Sequence, residues 1–190
     1  MTRTRRRVAR ATVVLAVLGW AFDASATESG AVIADLRPRM APDARVRGGS
    51  QRLVAAISDA TAGSQTFRGL VDQIARTDGI VYVMEGQCQH GVRACLILSM
   101  TVMGTNRVLW ILIDPRKVDR DLMGSIGHEL QHALEVLGHS SIRSGSAMTL
   151  LYKKEGSKEG DHFETDAAIK AGNAVRAELR ASVAAGKHCE

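Results

Sequence analysis

Aromatic side chains are scarce in this chain: two Trp, two Tyr and three Phe in 190 residues. A surface that binds single strands by stacking needs more of them, so a nucleic-acid platform is excluded on that ground. Basic charge is also thinner than the total suggests. Five of the 25 Lys and Arg (Arg3, Arg5, Arg6, Arg7 and Arg10) lie in residues 1–26, against one of the 20 acids, Asp23. The remainder carries 20 basic and 19 acidic side chains, and no basic patch argues for nucleic acid. There is no apolar run of the ~20 residues that a bilayer span needs. No internal repeat or low-complexity block is present. Only three cysteines occur, Cys88, Cys95 and Cys189.

What is present begins with a basic segment, Thr2–Arg10, followed by the apolar run Ala11–Phe22 and then Ala24-Ser25-Ala26. In that order the three parts predict a secretory signal peptide over 1–26, cleaved after Ala26, with no stable membrane span once it is removed. The expected location is secreted or periplasmic. Residues 27–49, with Pro38, Pro42, Gly48 and Gly49, read as a flexible tail. Residues 50–188 then form one domain, long enough for a real core. An oxidising compartment favours a Cys88–Cys95 disulfide. The alternative is a soft metal site with His90, which two thiolates and one histidine leave incomplete. Cys189 has no obvious partner within the chain.

Leu53, Val54, Ile57 and Ala60 recur at helical spacing over 50–61. A second helix is expected from the N-cap Ser64 to about Arg76, with Phe67, Leu70, Val71, Ile74 and Ala75 on one face. Three β-branched or aromatic runs follow at 80–84, 96–102 and 108–113, the last two joined by a tight turn at Met103–Asn106. Their order suggests an antiparallel three-stranded meander. A long helix is predicted from Val118 to Leu137, packing Val118, Leu122, Ile126, Ala133 and Leu137 on the sheet and ending at Gly138. A short helix at 144–154, a polar loop at 155–161 and a last helix from about His162 complete an α+β domain.

The long helix contains His128-Glu129-Leu130-Gln131-His132. Four residues apart on a helix, the two histidines face one metal ion, with the Glu129 carboxylate beside them as a general base. A catalytic zinc needs a third protein ligand. His139 does not sit at the spacing of the metzincin extension, which would need glycine and histidine where Glu135 and Gly138 stand. His90 and His188 are weaker candidates. Glu164, 32 positions past His132, is favoured: it opens a new helix, and Ala167 and Ala168 let that helix approach closely. The alternatives are His162 or Asp166 as ligand, or an ordinary first-turn glutamate.

With these residues the chain resembles the gluzincin group of zinc metallopeptidases. It also resembles a family of small exported bacterial proteins that pair a Gly-His-Glu-Leu-x-His-Ala segment with Phe-Glu-Thr, here at 127–133 and 163–165. The resemblance spans roughly residues 50–185. It implies a zincin-like single domain, with the meander packed against the motif helix. It also implies one zinc per chain, bound by His128, His132 and Glu164, and a zinc-bound water deprotonated by Glu129 to hydrolyse a peptide or protein substrate. Many gluzincins carry an aspartate four residues after the ligand glutamate to orient a histidine. Ala168 stands there instead, which leaves Asp166 or a backbone carbonyl for that task. Tyr152 is a candidate oxyanion donor, and the strand at 107–113 a candidate edge for substrate pairing. Two other expectations stand beside this one: a non-catalytic exported zinc-binding or interaction domain, and a hydrolase acting on an amide of cell-wall material.

Overall fold

The structure, a computed structural model, describes residues 44–186 apart from 89, 90, 115, 117, 118, 156, 160 and 161. The expected signal peptide and most of the expected tail, residues 27–43, lie outside the described residues. The tail ends earlier than expected, because Val46–Gly48 forms a strand, β1. The elements that follow are α1 (Gln51–Gly63), α2 (Gln65–Ala75), β2 (Gly79–Glu85), β3 (Ala94–Leu96), β4 (Thr101–Met103) and β5 (Asn106–Ile113). After them come α3 (Arg120–Leu137), α4 (Gly145–Glu155), β6 (Ser157–Glu159), β7 (His162–Glu164) and α5 (Asp166–Gly186). The chain is therefore mixed α+β, with five helices and a mixed main sheet among the described residues.

Helix starts follow local chemistry. Ser50, Ser64 and Asp119 each turn a side-chain oxygen back to accept from the backbone N–H of Leu53, Phe67 and Leu122. At α2 a distant residue adds to the cap. Glu178 of α5 accepts from the Ser64 hydroxyl at 2.6 Å and from the Thr66 N–H at 2.9 Å, tying the two helices together.

The sheet corrects the expected meander. Its order is β1-β2-β5-β3, with β4 also pairing β5. β1 and β5 run parallel to β2, and only β3 and β4 are antiparallel to β5. The predicted strand at 96–102 is broken in two. Ser99 N–H turns back to the Ile97 carbonyl, and the chain between β3 and β4 abuts the start of α4, where a Cβ on Gly145 would collide with the Leu98 carbonyl. A strand in the middle of a sheet needs continuous ladders on both sides. The interrupted segment therefore suits only the edge. β5, which buries Leu109, Ile111 and Ile113 completely, takes the interior place. The Met103–Asn106 turn forms as expected, with Gly104 at φ +60°.

Cys88 and Cys95 form the expected disulfide, with Cα atoms 6.0 Å apart. It closes the crossover from β2 to β3 beside β5, since Cys95 pairs with Leu112 in the sheet. The soft metal site is thereby excluded at these sulfurs, and His90 and Cys189 lie outside the described residues.

α3 lies on β2, β3 and β5, with Leu122, Ile126, Ala133 and Leu137 buried, as their spacing predicts. Val118 lies outside the described residues. The C-terminus of α3 meets a cation that sequence reading missed. Arg107 of β5 is 2% exposed and donates to the carbonyls of Val136, Leu137, His139 and Ile142, while its other edge pairs with Asp78. The Val136 and Leu137 carbonyls carry the negative end of the helix dipole, and the guanidinium satisfies them where water cannot reach. Two further corrections concern the C-terminal part. The expected loop at 155–161 contains β6, which pairs with β7, and residues 162–164 are strand. The last helix begins only at Asp166.

Candidate metal centre

The site forms where α3, β3, β7 and α5 converge. α3 and α5 pack closely because glycines stand at their contact. A Cβ on Gly172 would sit 3.0 Å from both the Gly124 carbonyl and the His128 Cβ, and one on Gly124 would run into the side chain of Arg176. The alanine argument for close approach is thus only half right: Ala168 is buried, Ala167 is exposed, and the tight contact belongs to Gly124 and Gly172.

Glu164 reaches the motif, but from the end of β7 and not from the first turn of a helix. Its Oε2 lies 3.1 Å from His128 Nε2 and 4.0 Å from His132 Nε2, and the two imidazole nitrogens are 3.1 Å apart. These three residues form a group that could hold a metal ion. Two imidazoles and one carboxylate are the donor set of an open catalytic zinc site, which makes the group chemically suited to zinc. Glu129 Oε1 lies 4.0 Å from His128 Nε2, on the same side as the ligand atoms. Its other oxygen accepts from the Leu96 N–H at 2.7 Å, which holds the carboxylate against β3.

A second carboxylate orients His132, and sequence reading missed it. Glu135 Oε2 is 2.9 Å from His132 Nδ1, and Glu135 Oε1 accepts from the Thr165 hydroxyl at 2.7 Å. The Thr165 oxygen in turn accepts from the Ala168 N–H and so caps α5. One carboxylate therefore orients His132 and fixes the start of α5 immediately after Glu164. The usable signal was spacing: Glu135 is three residues past His132, a distance at which helical side chains meet. Asp166, the expected candidate for this role, is exposed at the first turn of α5, and His139 is exposed beyond the end of α3. The side chain of His162 and all of His188 lie outside the described residues.

Burial pushes the Glu129 carboxyl above its ordinary range, against the pull of the two histidines and the Leu96 N–H. For His128 burial acts to lower the pKa, but the hydrogen bond to Glu164 and the charges of Glu129 and Glu164 outweigh it, and the net shift is upward. Burial would likewise raise Glu135; its bonds with His132 and Thr165 win and hold it low. The Glu135 carboxylate behind His132 is thus held in its ionised form at neutral pH.

Tyr152 does not stand as expected for an oxyanion donor. Its buried hydroxyl donates to the His132 carbonyl at 2.8 Å, and its ring packs edge-on to His132 and stacks with Phe163. β5 is interior, so the expected substrate edge moves to β3. Cys95 pairs with Leu112 toward β5, and by alternation the peptide groups of Ala94 and Leu96 face outward. They line a cleft of about 280 Å³ together with His128, Glu129, His132, Glu164, Ser125 and Arg176.

Comparison of the chain with protein-family models, with curated proteins and with solved structures finds no match. The disulfide fits an extracellular location, and no helix of the described residues is long and apolar enough to cross a membrane.

Proposed function

We propose that this chain is an exported zinc-dependent peptidase of zincin-like architecture, with His128, His132 and Glu164 as ligands and Glu129 as general base. One observation carries the reading: the three ligand atoms lie 3.1–4.0 Å from one another, at the wall of an open cleft, with a buried carboxylate alongside. Bound there, zinc supplies a Lewis acid that acidifies water and polarises a carbonyl. Glu129 takes a proton from the attacking water and passes it to the amide nitrogen as the C–N bond breaks. One water is consumed, and a carboxyl and an amine terminus are released. An extended substrate pairs with the outward edge of β3 through the Ala94 peptide groups and the Leu96 carbonyl, the Leu96 N–H being held by Glu129, and its own carbonyl is set beside the centre. Burial of Glu129 favours this role by strengthening the base.

The purified protein, refolded with excess zinc and dialysed, is expected to retain about one zinc per chain and to cleave a peptide library. Glu129→Gln is expected to keep the zinc and lose the cleavage by at least about a hundredfold. Failure to retain zinc would remove the basis of the reading. Zinc retained by the wild type without turnover would support the non-catalytic alternative.

A further inference from the structure

The cleft has an electropositive end. Arg176 of α5 lines it, lying across the backbone of Gly124 with Nη1 facing the Cβ position that Gly172 leaves empty beside His128. Glycines on both helices are what admit this long cation next to a ligand histidine. Among the described residues its guanidinium bonds only to neutral oxygens, Asn173 Oδ1 at 3.1 Å and Ser125 Oγ at 3.3 Å. The nearby acids are engaged elsewhere: Asp121 by Arg180, Asp119 by Arg93, and, within the cleft itself, Glu164 by His128 and Glu129 by the Leu96 N–H.

The sheet tells which end of a bound peptide arrives there. Arg93, just before β3, pairs with Asp119 at the start of α3, and Leu96 at the end of β3 bonds to Glu129 a helix stretch later. β3 and α3 therefore run in the same sense. A peptide pairing antiparallel to β3, the slightly more stable arrangement, directs its C-terminal side toward the start of α3, where Ser125 and Arg176 stand.

We propose that Arg176 binds the free C-terminal carboxylate of the substrate, so that the enzyme trims chain ends and does not cut within chains. This rests on the peptidase reading for its chemistry but not for its binding. A planar guanidinium whose hydrogen bonds go only to neutral oxygens among the described residues is suited to a bidentate carboxylate contact. Arg176 touches the substrate and sets specificity; it takes no part in the bond-breaking step.

The test uses three short probes: acetyl-Ala-Ala-Leu with a free carboxylate, the same peptide as its C-terminal amide, and acetyl-Ala-Glu-Leu amide, whose only acid is a side chain. Binding to the metal-free chain is measured by calorimetry or NMR titration, and repeated with the zinc-loaded Glu129→Gln protein. The free acid is expected to bind about tenfold more tightly than either amide. Arg176→Met, which keeps an unbranched stem over Gly124, is expected to bring that ratio to about one, and Arg176→Lys to keep part of it. Thermal midpoints and zinc content of both variants show whether the fold has held, and the acid-to-amide ratio is a readout that a packing defect alone would not erase. Equal affinities in the wild type, a preference that survives in Arg176→Met, tight binding of the side-chain acid, or no binding of any probe at millimolar concentration would each overturn the proposal. Absence of turnover by the zinc-loaded wild type removes the peptidase reading instead, and leaves the binding preference to stand or fall by itself.

Discussion

Replacing Glu135 by leucine removes one carboxylate and breaks two contacts at once: the 2.9 Å contact to His132 Nδ1 and the 2.7 Å bond from the Thr165 hydroxyl. The first sets the tautomer and ring plane of His132, so that Nε2 faces Glu164 and His128; the second holds the start of α5, one residue beyond Glu164. Outer carboxylates of this kind are typically worth 10–100-fold in metal affinity, or about 1.4–2.7 kcal/mol. Because Glu135 serves both His132 and the segment carrying Glu164, the upper half of that range is expected for Glu135→Leu. Glu135→Gln keeps one acceptor for the His132 N–H and should lose nearer tenfold. Thr165→Val removes the second contact together with the cap that Thr165 gives the Ala168 N–H, and is expected to cost a few-fold. The assay is competition for zinc against a chelator of known affinity, with circular dichroism to check that α3 persists. The Glu135–Thr165 pair should be coupled, so that Thr165→Val costs less in the Glu135→Leu background than in the wild type, what remains being the lost cap on α5. A Glu135→Leu protein with wild-type zinc affinity would refute the reasoning, as would strict additivity of the two changes.

Two stability predictions follow from the end of α3. Arg107→Met strips donors from three buried carbonyls and one part-buried one and leaves Asp78 with only the more distant Arg143; about 2–3 kcal/mol of folding free energy should be lost in urea titration, the figure being held down because Asp78 is one-third exposed. The hydrogen bond from Arg107 holds the Asp78 carboxyl below its ordinary value of 3.8, so its stabilising contribution is complete above that pH and is lost as the pH falls through the depressed folded value. Asp78→Asn should therefore be less stable than wild type at neutral pH, and the gap should narrow below about pH 4 in chemical denaturation; a gap independent of pH would contradict the assignment.

Much of the local structure was legible because short-range rules decide it. Ser50 and Ser64 cap helices with their own hydroxyls, Leu122, Ile126, Ala133 and Leu137 recur on one face of α3, and Gly104 permits the turn between β4 and β5. Cys88 and Cys95 stand seven residues apart and pair. Strand order was not legible. A run such as 80–84 states that a strand forms there and says nothing of its neighbour, and the parallel β2–β5 pair joins residues about 28 apart in the chain, as Ile80 opposite Val108. The break at 97–100, which sends β3 and β4 to the edge, is hidden in an apolar stretch that looks like one strand. The β6–β7 hairpin was missed because Ser157-Lys158-Glu159 is as polar as a loop.

At the candidate centre the division is sharper. His128, Glu129 and His132 share one helix, whose 3.6-residue repeat alone sets their relative positions, and sequence by itself determined that pair of imidazoles and the carboxylate next to them. Whether they amount to a site depended on chain segments that local rules do not govern. Glu164 arrives from the end of a strand, the hydroxyl of Thr165 just ahead of α5 meets Glu135 behind His132, and Arg176 enters the cleft because Gly124 and Gly172 leave space between two helices. Each of these contacts joins residues far apart in the chain, and its geometry is fixed by how α5 packs on α3. Tertiary structure alone decides that packing, because it depends on volume excluded between helices and not on the periodicity within either one.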